Sequence, residues 1–350
     1  MIVDELSCPI VLAPLGGGPF TPSLAAAVSE AGGLGFVAAG YLSVDAMVDA
    51  LAATLDLTDR PIGVNLFVPG RPTPPEVFRR YAAGLRDDAE RVGAQLGDPR
   101  FDDDGWQSKL EVLTVEPVPV VSFTFGCPSA EEITGLHGVG SEVWVTVTDI
   151  EEAAAALAAG ADVLVAQGSE AGGHRSTFVD DADDAVDGLS LLTLLQLLRP
   201  AVAAPVVATG GIATGAAVAA VLAAGATAAQ VGTAFLRCPE AGTSPVHRRM
   251  LADATPTITT RAFTGRLARG IRNRFIDDHN HDAPVAYPEV HYLTAPLRQA
   301  GRVAGDADVV NLWAGQAYAL ARELPAAEVV RMLTADARLA IAGIARRFGD

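Results

Sequence analysis

One histidine stands out as a candidate for proton transfer. His174 follows Gly172 and Gly173 at the end of the stretch QGSEAGGH, which begins at the last residue of the apolar run 161–167. Histidine has the side-chain pKa nearest to neutral pH, and adjacent glycines allow the backbone to fold tightly over a ligand. We therefore predict that His174 is catalytic. Gln167, an uncharged donor and acceptor, is a candidate for binding a flat heterocycle.

Two glycine-containing turns indicate a site for a phosphate group. The segments 209–215 (TGGIATG) and 230–234 (QVGTA) each follow an apolar run, and a helix is predicted after the first of them. Glycines allow backbone N–H groups to approach a ligand, and the N-terminus of a helix carries partial positive charge. Either turn alone is equally consistent with a tight connection between a strand and a helix. Two of them on neighbouring strands favour phosphate binding without a basic side chain.

Other polar residues give weaker indications. Asn65 interrupts an apolar run, so its amide must find a partner either in the core or on a ligand. The acidic run 180–187 lacks the spacing of metal ligands and is interpreted as a solvated loop, so we predict no metal site. His279 and His281 lie in a polar turn and are expected to be exposed. The GxSxG motif typical of many serine hydrolases is absent from the sequence.

Composition limits the classes of protein that this chain can represent. It has 350 residues, of which 50% are hydrophobic and 19% are charged, and its formal net charge is −17. Such an acidic chain does not suit nucleic acids or anionic membranes, and no uninterrupted run of about 18 apolar residues is present. Three separated cysteines and an N-terminus without basic residues predict a soluble cytoplasmic protein. We expect a monomer or a homodimer that acts on a small molecule. The only lysine, Lys109, is expected in a polar connecting stretch, which argues against a lysine Schiff base.

Short apolar runs alternate with alanine-rich helical stretches along the first two thirds of the chain. Eight of these runs are predicted to be buried strands: 9–15, 35–39, 61–68, 118–125, 142–148, 161–167, 204–209 and 228–235. They are continuous rather than alternating, which is typical of strands covered on both faces. Eight strand–helix units predict an α/β fold, the (β/α)8 TIM barrel. A doubly wound sheet is the alternative, but the number of units favours the barrel. One long helix is predicted over 75–96.

The pattern changes after Pro239, and we predict three regions. They are a barrel over 1–239, a smaller and mostly helical cap region over 240–323, and a C-terminal helix that packs on the barrel over 324–350. Within the cap region a helix is predicted near 308–321. In such a barrel the loops that follow the strands carry the active site, so His174 and the phosphate turns are expected at the same end.

Seven segments together resemble the nitronate monooxygenase family, formerly called 2-nitropropane dioxygenases. They are PIVLAPLGGG (9–18), PIGVNLF (61–67), VSFTFG (121–126), VLVAQGSEAGGHRSTF (163–178), PVVATGGI (205–212), AAQVGTAFL (228–236) and LWAGQA (312–317). They span nearly the whole chain in the family's order, and AQGSEAGGHR is the most specific of them. The resemblance implies a TIM barrel that binds FMN at the carboxyl ends of its strands, beneath a small helical domain.

The resemblance also implies roles for individual residues. His174 would be the catalytic histidine. The flavin ring would be contacted by the backbone of Ala13, Pro14 and Leu15 and by Asn65, Gln167 and Gly172. The phosphate would be bound by Gly211, Gln230, Val231, Gly232 and Thr233. In the expected substrate pocket, Thr124 stands where related sequences often carry histidine, and Tyr287 and His291 are the other expected members.

The activity implied by the resemblance is the FMN-dependent oxidation of alkyl nitronates, or of nitroalkanes, by O2 to a carbonyl compound and nitrite. His174 would either take a proton from a nitroalkane or, as an imidazolium ion, bind the anionic nitro group. The main alternative is an FMN-dependent reductase that uses NAD(P)H to reduce an enoyl-thioester or a quinone. A further alternative is a flavin-free isomerase or synthase that binds a phosphorylated ligand, or a binding barrel without catalytic activity.

Overall fold

The computed structural model describes residues 1–181, 188–253 and 255–349, and its central feature is a ring of eight parallel strands. The barrel strands, in chain order, are Ile10–Leu12, Gly35–Ala38, Ile62–Phe67, Val120–Thr124, Glu142–Val147, Val163–Gln167, Val206–Thr209 and Ala228–Val231. Each strand lies within one of the predicted apolar runs. The eighth strand pairs with the first, and a bridge between Val11 and Leu34 joins the first strand to the second. This closed ring confirms the predicted TIM barrel and rules out a doubly wound open sheet.

Helices surround the barrel and cover its carboxyl end. In chain order they are Ile2–Glu5, Pro22–Glu30, Val44–Leu55, Pro75–Gly84, Arg86–Val92, Trp106–Val115, Ala130–Gly138, Ile150–Ala159, Leu191–Leu198, Gly215–Ala223, Pro245–Met250, Arg274–His279, Glu289–Ala304 and Ala326–Phe348. Several begin at a side chain that accepts a hydrogen bond from the first turn, and these caps include Thr21, Ser43, Ser129, Asp149 and Thr214. Such caps satisfy backbone N–H groups that the start of a helix leaves free. The helix after the seventh barrel strand therefore begins at a defined residue, Thr214, at the carboxyl end of the barrel.

The interior of the barrel is filled near the amino ends of the strands. Side chains from around the ring form one buried apolar cluster, and the largest of them are Phe36 and Trp144, with ring centroids 5.9 Å apart. The third strand contributes Gly63 at this level, where a Cβ would lie 2.4 Å from the Phe36 ring. Because residues from so many strands can meet only inside the ring, this end is closed by packing. The opposite end is left for a ligand.

The cap contains a small antiparallel sheet that the sequence analysis did not predict. Its strands are Thr257–Thr260, Ala268–Ile271 and the two-residue strand Gly173–His174, which belongs to the loop after the sixth barrel strand. His174 lies opposite Ala268 in this pairing. The candidate histidine is therefore held by backbone hydrogen bonds between barrel and cap, instead of standing on a free loop.

Two predicted helices are wrong. The helix expected over 75–96 is divided into Pro75–Gly84 and Arg86–Val92 at Leu85, whose ψ of −1° departs from the α-helical value. Leu85 itself is fully buried in an apolar cluster that includes cap residues. The helix expected near 308–321 is absent, and that segment holds two short 3-10 turns, Ala307–Val309 and Tyr318–Leu320. Between these turns the chain is extended, because Trp313 forms a β-bridge with a strand of the small cap sheet.

The predicted C-terminal helix is confirmed as Ala326–Phe348. It packs against Gly215–Ala223, and the approach is close enough that a Cβ at Gly215 would lie 2.4 Å from the backbone nitrogen of Ala337. Within the described part of the chain, no helix is long and apolar enough to cross a membrane.

Candidate active site

A cavity of about 370 Å³ lies where the barrel strands end and the cap begins. Most of the residues predicted from the sequence line it: Ala13, Pro14, Leu15, Asn65, Thr124, Gln167, Gly172, His174, Gly211, Gln230, Gly232, Thr233 and His291. These residues come from six of the eight barrel strands or the loops that follow them, and from one cap helix. One cavity therefore brings together the glycine turns and the candidate histidine, as their positions after barrel strands predict. Its volume is within the range of roughly 300–1,000 Å³ that small-molecule sites occupy.

Two predicted site residues do not line the cavity. The Val231 side chain is buried in the barrel core, and its carbonyl accepts a hydrogen bond from the backbone of Ala13 (2.9 Å). Tyr287 lies behind the cavity wall, where its ring centroid is 5.6 Å from that of His174 and its hydroxyl donates to the hydroxyl of Tyr41 (2.9 Å). Val231 can reach a ligand only through its backbone, and Tyr287 supports other residues of the wall.

His174 is a half-buried, neutral imidazole in the cavity wall. Its Nε2 lies 2.9 Å from Oγ1 of Thr264, and the Thr264 hydroxyl in turn donates to the Arg266 carbonyl (3.2 Å). With the Thr264 hydroxyl donating to this carbonyl, the ring hydrogen lies on Nε2, and Nδ1 is the ring nitrogen that makes no hydrogen bond with the described residues. Burial, followed by the positive charges of Arg266 and Arg298, lowers the pKa of His174 to about 3. The ring is therefore uncharged at physiological pH, which argues against an imidazolium role.

The amide of Gln167 holds the histidine loop in place. Its Nε2 donates to the backbone carbonyl of His174 (3.0 Å), and its Oε1 accepts from the backbone of Ser176 (2.9 Å). Both ends of the amide are thus used by the loop 168–176, although the side chain still borders the cavity. Gln167 positions the backbone of His174 in addition to any contact with a ligand.

Asn65 finds its partners on the neighbouring barrel strand. Its Nδ2 donates to Oγ of Ser122 and to Oγ1 of Thr124, both at 3.0 Å, and to the Ser122 carbonyl at 3.1 Å. The sequence left open whether this amide forms hydrogen bonds within the core or contacts a ligand. Both are compatible, because the hydrogen-bonded amide also borders the cavity. Thr124, the residue that departs from the family pattern, fixes the orientation of this amide.

Three glycine-containing loops meet at one side of the cavity. Gly210 and Gly211 adopt φ values of 119° and 67°, the left-handed region that favours glycine. A Cβ at Gly172 would lie only 2.4 Å from the backbone nitrogen of Gly315, and that nitrogen donates to Oγ1 of Thr233 (3.0 Å). The seventh and eighth barrel strands are direct neighbours, as predicted. The glycine loops and the residues that precede the helix Gly215–Ala223 thus lie together at one side of the cavity, an arrangement suited to a phosphate group.

Tyr41 and Arg298 are among the polar residues of the cavity that sequence reasoning missed. Tyr41 follows the second barrel strand, so its position after a strand end was a usable signal. Arg298 lies on the cap helix Glu289–Ala304 and is buried. Its guanidinium donates to Thr294 and to the His291 carbonyl, and no carboxylate acts on it among the described residues. Burial, together with the charge of the nearby Arg302, lowers the pKa of Arg298 to about 10, so it remains a cation.

Two expectations about polar residues outside the cavity were wrong. Lys109 lies in the helix Trp106–Val115 and is buried, with Nζ 2.7 Å from Oδ2 of Asp104. His279 is only 15% exposed, because its Nε2 contacts Asp88 at 2.6 Å, whereas His281 is exposed as expected. In the acidic run, Asp180 pairs with Arg261 at 2.5 Å, whereas Asp181 is exposed. Residues 182–187 of the same acidic run lie outside the described residues, and no cluster of potential metal ligands occurs within the described ones.

Comparisons with known proteins agree on one family. A family model for nitronate monooxygenase matches residues 2–336. Nitronate monooxygenases from Paraburkholderia phytofirmans and Pseudomonas aeruginosa are each 40% identical to this chain. The first match covers 95% of this chain and 93% of the relative, and the second covers 94% and 96%. A solved structure of nitroalkane oxidase from Streptomyces ansochromogenes has 50% identity and a TM-score of 0.96, and the match covers 98% of this chain and 99% of that one. The structure of FabK from Thermotoga maritima has 26% identity and a TM-score of 0.78, and the match covers 99% of this chain and 97% of that one.

A barrel whose carboxyl end combines a ligand cavity, glycine turns and a neutral histidine is typical of a TIM-barrel enzyme, and these relatives identify it as an oxidoreductase. The chain belongs to the nitronate monooxygenase family.

Proposed function

We propose that this protein oxidises alkyl nitronates with O2, using bound FMN, to give a carbonyl compound and nitrite. The observation that carries the proposal is that a single cavity joins the glycine turns to a neutral histidine, His174, and a buried cation, Arg298. The glycine turns suit the phosphate of a mononucleotide, and the cation suits an anionic substrate. The activity in the names of the relatives, on nitronates or nitroalkanes, is consistent with both features.

The residues around the cavity fit FMN. Its phosphate would be bound by backbone groups of Gly211, Gln230, Gly232 and Thr233, where the left-handed φ of Gly211 and the crowding at Gly172 leave room only for glycine. Its ring would lie on Ala13, Pro14 and Leu15, beside Asn65, Gln167 and Gly172. When bound, FMN supplies reversible electron acceptance, from the carbon-centred anion of a nitronate and onward to O2.

The protonation state of His174 favours nitronates over neutral nitroalkanes. A general base acts best when its pKa is close to the operating pH, and the pKa of His174 is about 3. Its free Nδ1 is therefore a poor acceptor for a carbon-bound proton but a suitable neutral neighbour for an oxidisable anion. Arg298 supplies the positive charge that binds this anion, since no carboxylate neutralises it among the described residues. A substrate that arrives already deprotonated needs no strong base.

The experiment compares ethylnitronate with nitroethane at equal concentration on the purified, FMN-loaded protein. We expect rapid bleaching of the flavin absorbance without O2, and nitrite release with O2, from ethylnitronate, and a much slower response from nitroethane. NADH and NADPH are mixed with the same protein under anaerobic conditions. Fast bleaching by either nucleotide, with none by ethylnitronate, would instead support a reductase.

A further inference from the structure

We propose that Tyr41 donates a hydrogen bond to the nitro-group oxygens of the substrate, and that the buried pair Asp104 and Lys109 positions it for this contact. The inference rests on the proposed function and adds a substrate-binding residue to it. Tyr41 borders the cavity directly after the second barrel strand.

The phenol of Tyr41 is an available donor. Its oxygen accepts the hydrogen of the Tyr287 hydroxyl at 2.9 Å, and its own hydrogen has no acceptor among the described residues. The ring is fixed from two sides: it stacks on His291 at 4.1 Å with an interplanar angle of 5°, and it meets the edge of Phe67 at 5.2 Å. Since the oxygen accepts from Tyr287 on one side and the residue borders the cavity, we infer that the hydroxyl hydrogen is available to a ligand in the cavity.

The surroundings keep this donor protonated and make it stronger. Burial raises the pKa of Tyr41 to about 12, so the phenol retains its hydrogen across the working pH range. Accepting a hydrogen bond from Tyr287 polarises the O–H group, since hydrogen bonds in a chain strengthen one another. Arg298 acts on the same phenol, so a cation and a neutral donor lie near one place where an oxyanion can bind.

The backbone of Tyr41 requires a specific support. Its φ is 68°, a left-handed conformation that is unfavourable for an aromatic residue. The Tyr41 N–H donates to Oδ1 of Asp104 (2.9 Å), Oδ2 of Asp104 lies 2.7 Å from Nζ of Lys109, and Nζ donates to the Ala39 carbonyl (2.9 Å). Lys109, the only lysine of the chain, thus contacts both Asp104 in the preceding loop and Ala39 at the end of the second barrel strand. Tyr41 follows Ala39 by two residues and donates its N–H to Asp104, so both of these contacts restrain its backbone.

A buried ion pair is weak evidence for stability, because desolvation offsets much of the attraction between the charges. What this pair does achieve is geometric. Oδ1 of Asp104 is the acceptor that meets the Tyr41 N–H, and Lys109 holds that carboxylate in register with the strand end. Asp104 and Lys109 are therefore positioning residues, and Tyr41 is the residue that contacts substrate.

The test uses four variants of the FMN-loaded protein: Tyr41→Phe, Tyr287→Phe, Lys109→Met and the double variant Asp104→Asn with Lys109→Met. Tyr41→Phe keeps the stacked ring and removes the donor, so we expect kcat/KM for ethylnitronate to fall about 10- to 100-fold with flavin content unchanged. Binding of nitrate, an inert planar oxyanion followed through the flavin spectrum, should weaken to a similar degree. Tyr287→Phe retains the Tyr41 hydroxyl and is expected to have a clearly smaller effect.

The double variant separates positioning from general stability. Lys109→Met leaves a buried carboxylate unpaired and should reproduce the loss of nitrate binding. Asn at position 104 retains an oxygen for the Tyr41 N–H and carries no charge, so the double variant should recover most of the nitrate affinity. If Lys109→Met does not fold, the double variant and Tyr41→Phe still decide the question.

The possible failures are distinguishable. If wild-type protein does not react with ethylnitronate, the proposed function is wrong. If wild-type protein reacts, but Tyr41→Phe matches it in both kcat/KM and nitrate affinity, the role of Tyr41 is wrong. If the double variant remains as impaired as Lys109→Met, the positioning role of the pair is wrong.

Discussion

Gly172→Ala tests whether the meeting of the glycine loops is essential to the site. The added Cβ would lie 2.4 Å from the backbone nitrogen of Gly315 and 2.5 Å from the carbonyl carbon of Ala314. Ordinary van der Waals contact begins near 3.4 Å, so one of the two loops must move by about 1 Å. The obstacle is backbone, and no change of side-chain rotamer can relieve it. The displaced loop carries His174 two residues later.

A displacement of about 1 Å in an active site costs about 100-fold in rate, and overpacking costs about 1–3 kcal/mol of stability. We therefore expect Gly172→Ala to lose FMN on desalting, to fall about 100-fold in kcat/KM for ethylnitronate, and to melt at a lower temperature. Gly135→Ala is the matched control. Gly135 lies inside the helix Ala130–Gly138 with nothing within 4 Å of an added Cβ, so the change should be neutral or slightly stabilising. Full FMN retention and wild-type kinetics in Gly172→Ala would refute the reasoning.

The remaining predictions concern charged and titratable groups. His174→Asn should lose most turnover and keep the yellow colour of bound flavin; unchanged kinetics on ethylnitronate and nitroethane would remove the histidine from the mechanism. Because the pKa of His174 is about 3 when folded and near 6.5 when unfolded, the unfolded state binds more protons below pH 6.5. The free energy of unfolding should therefore fall as pH decreases from 6.5 towards 3, by roughly 5 kcal/mol from this residue. Denaturant titrations over this pH range should show a shallower decrease for His174→Asn than for wild type. An equal decrease in the two proteins would contradict the low pKa. Arg298→Met should raise the KM for ethylnitronate about 10- to 100-fold, with Arg298→Lys intermediate, and an unchanged KM would exclude the anion site. Lys109 should resist an amine-selective reagent until the protein is denatured, as judged by peptide mass; rapid labelling of folded protein would show that it is exposed.

The parts of the fold that follow from local sequence were predictable. The eight barrel strands lie inside apolar runs because strands covered on both faces need apolar residues throughout. The glycine turns and His174 were found because a barrel carries its active site where strands end. The helix Ala326–Phe348 was found because its apolar spacing continues over many turns.

The parts that depend on distant partners were not predictable. Lys109 and His279 look like surface residues in sequence, but the carboxylates that allow their burial, Asp104 and Asp88, are recognisable as partners only in the fold. Arg298 enters the cavity from a cap helix far along the chain from the barrel loops. The segment around Trp313 was predicted to be helical, but Trp313 bridges to a strand of the cap sheet that lies far from it in sequence.

The most direct test of the central claim is a crystal structure of the protein with FMN bound. We expect the phosphate on the backbone N–H groups of Gly211 and Gly232, and the ring over Ala13–Leu15 with Nδ1 of His174 beside it. A phosphate bound elsewhere, or a ring out of contact with His174, would contradict the claim that one cavity serves both cofactor and substrate.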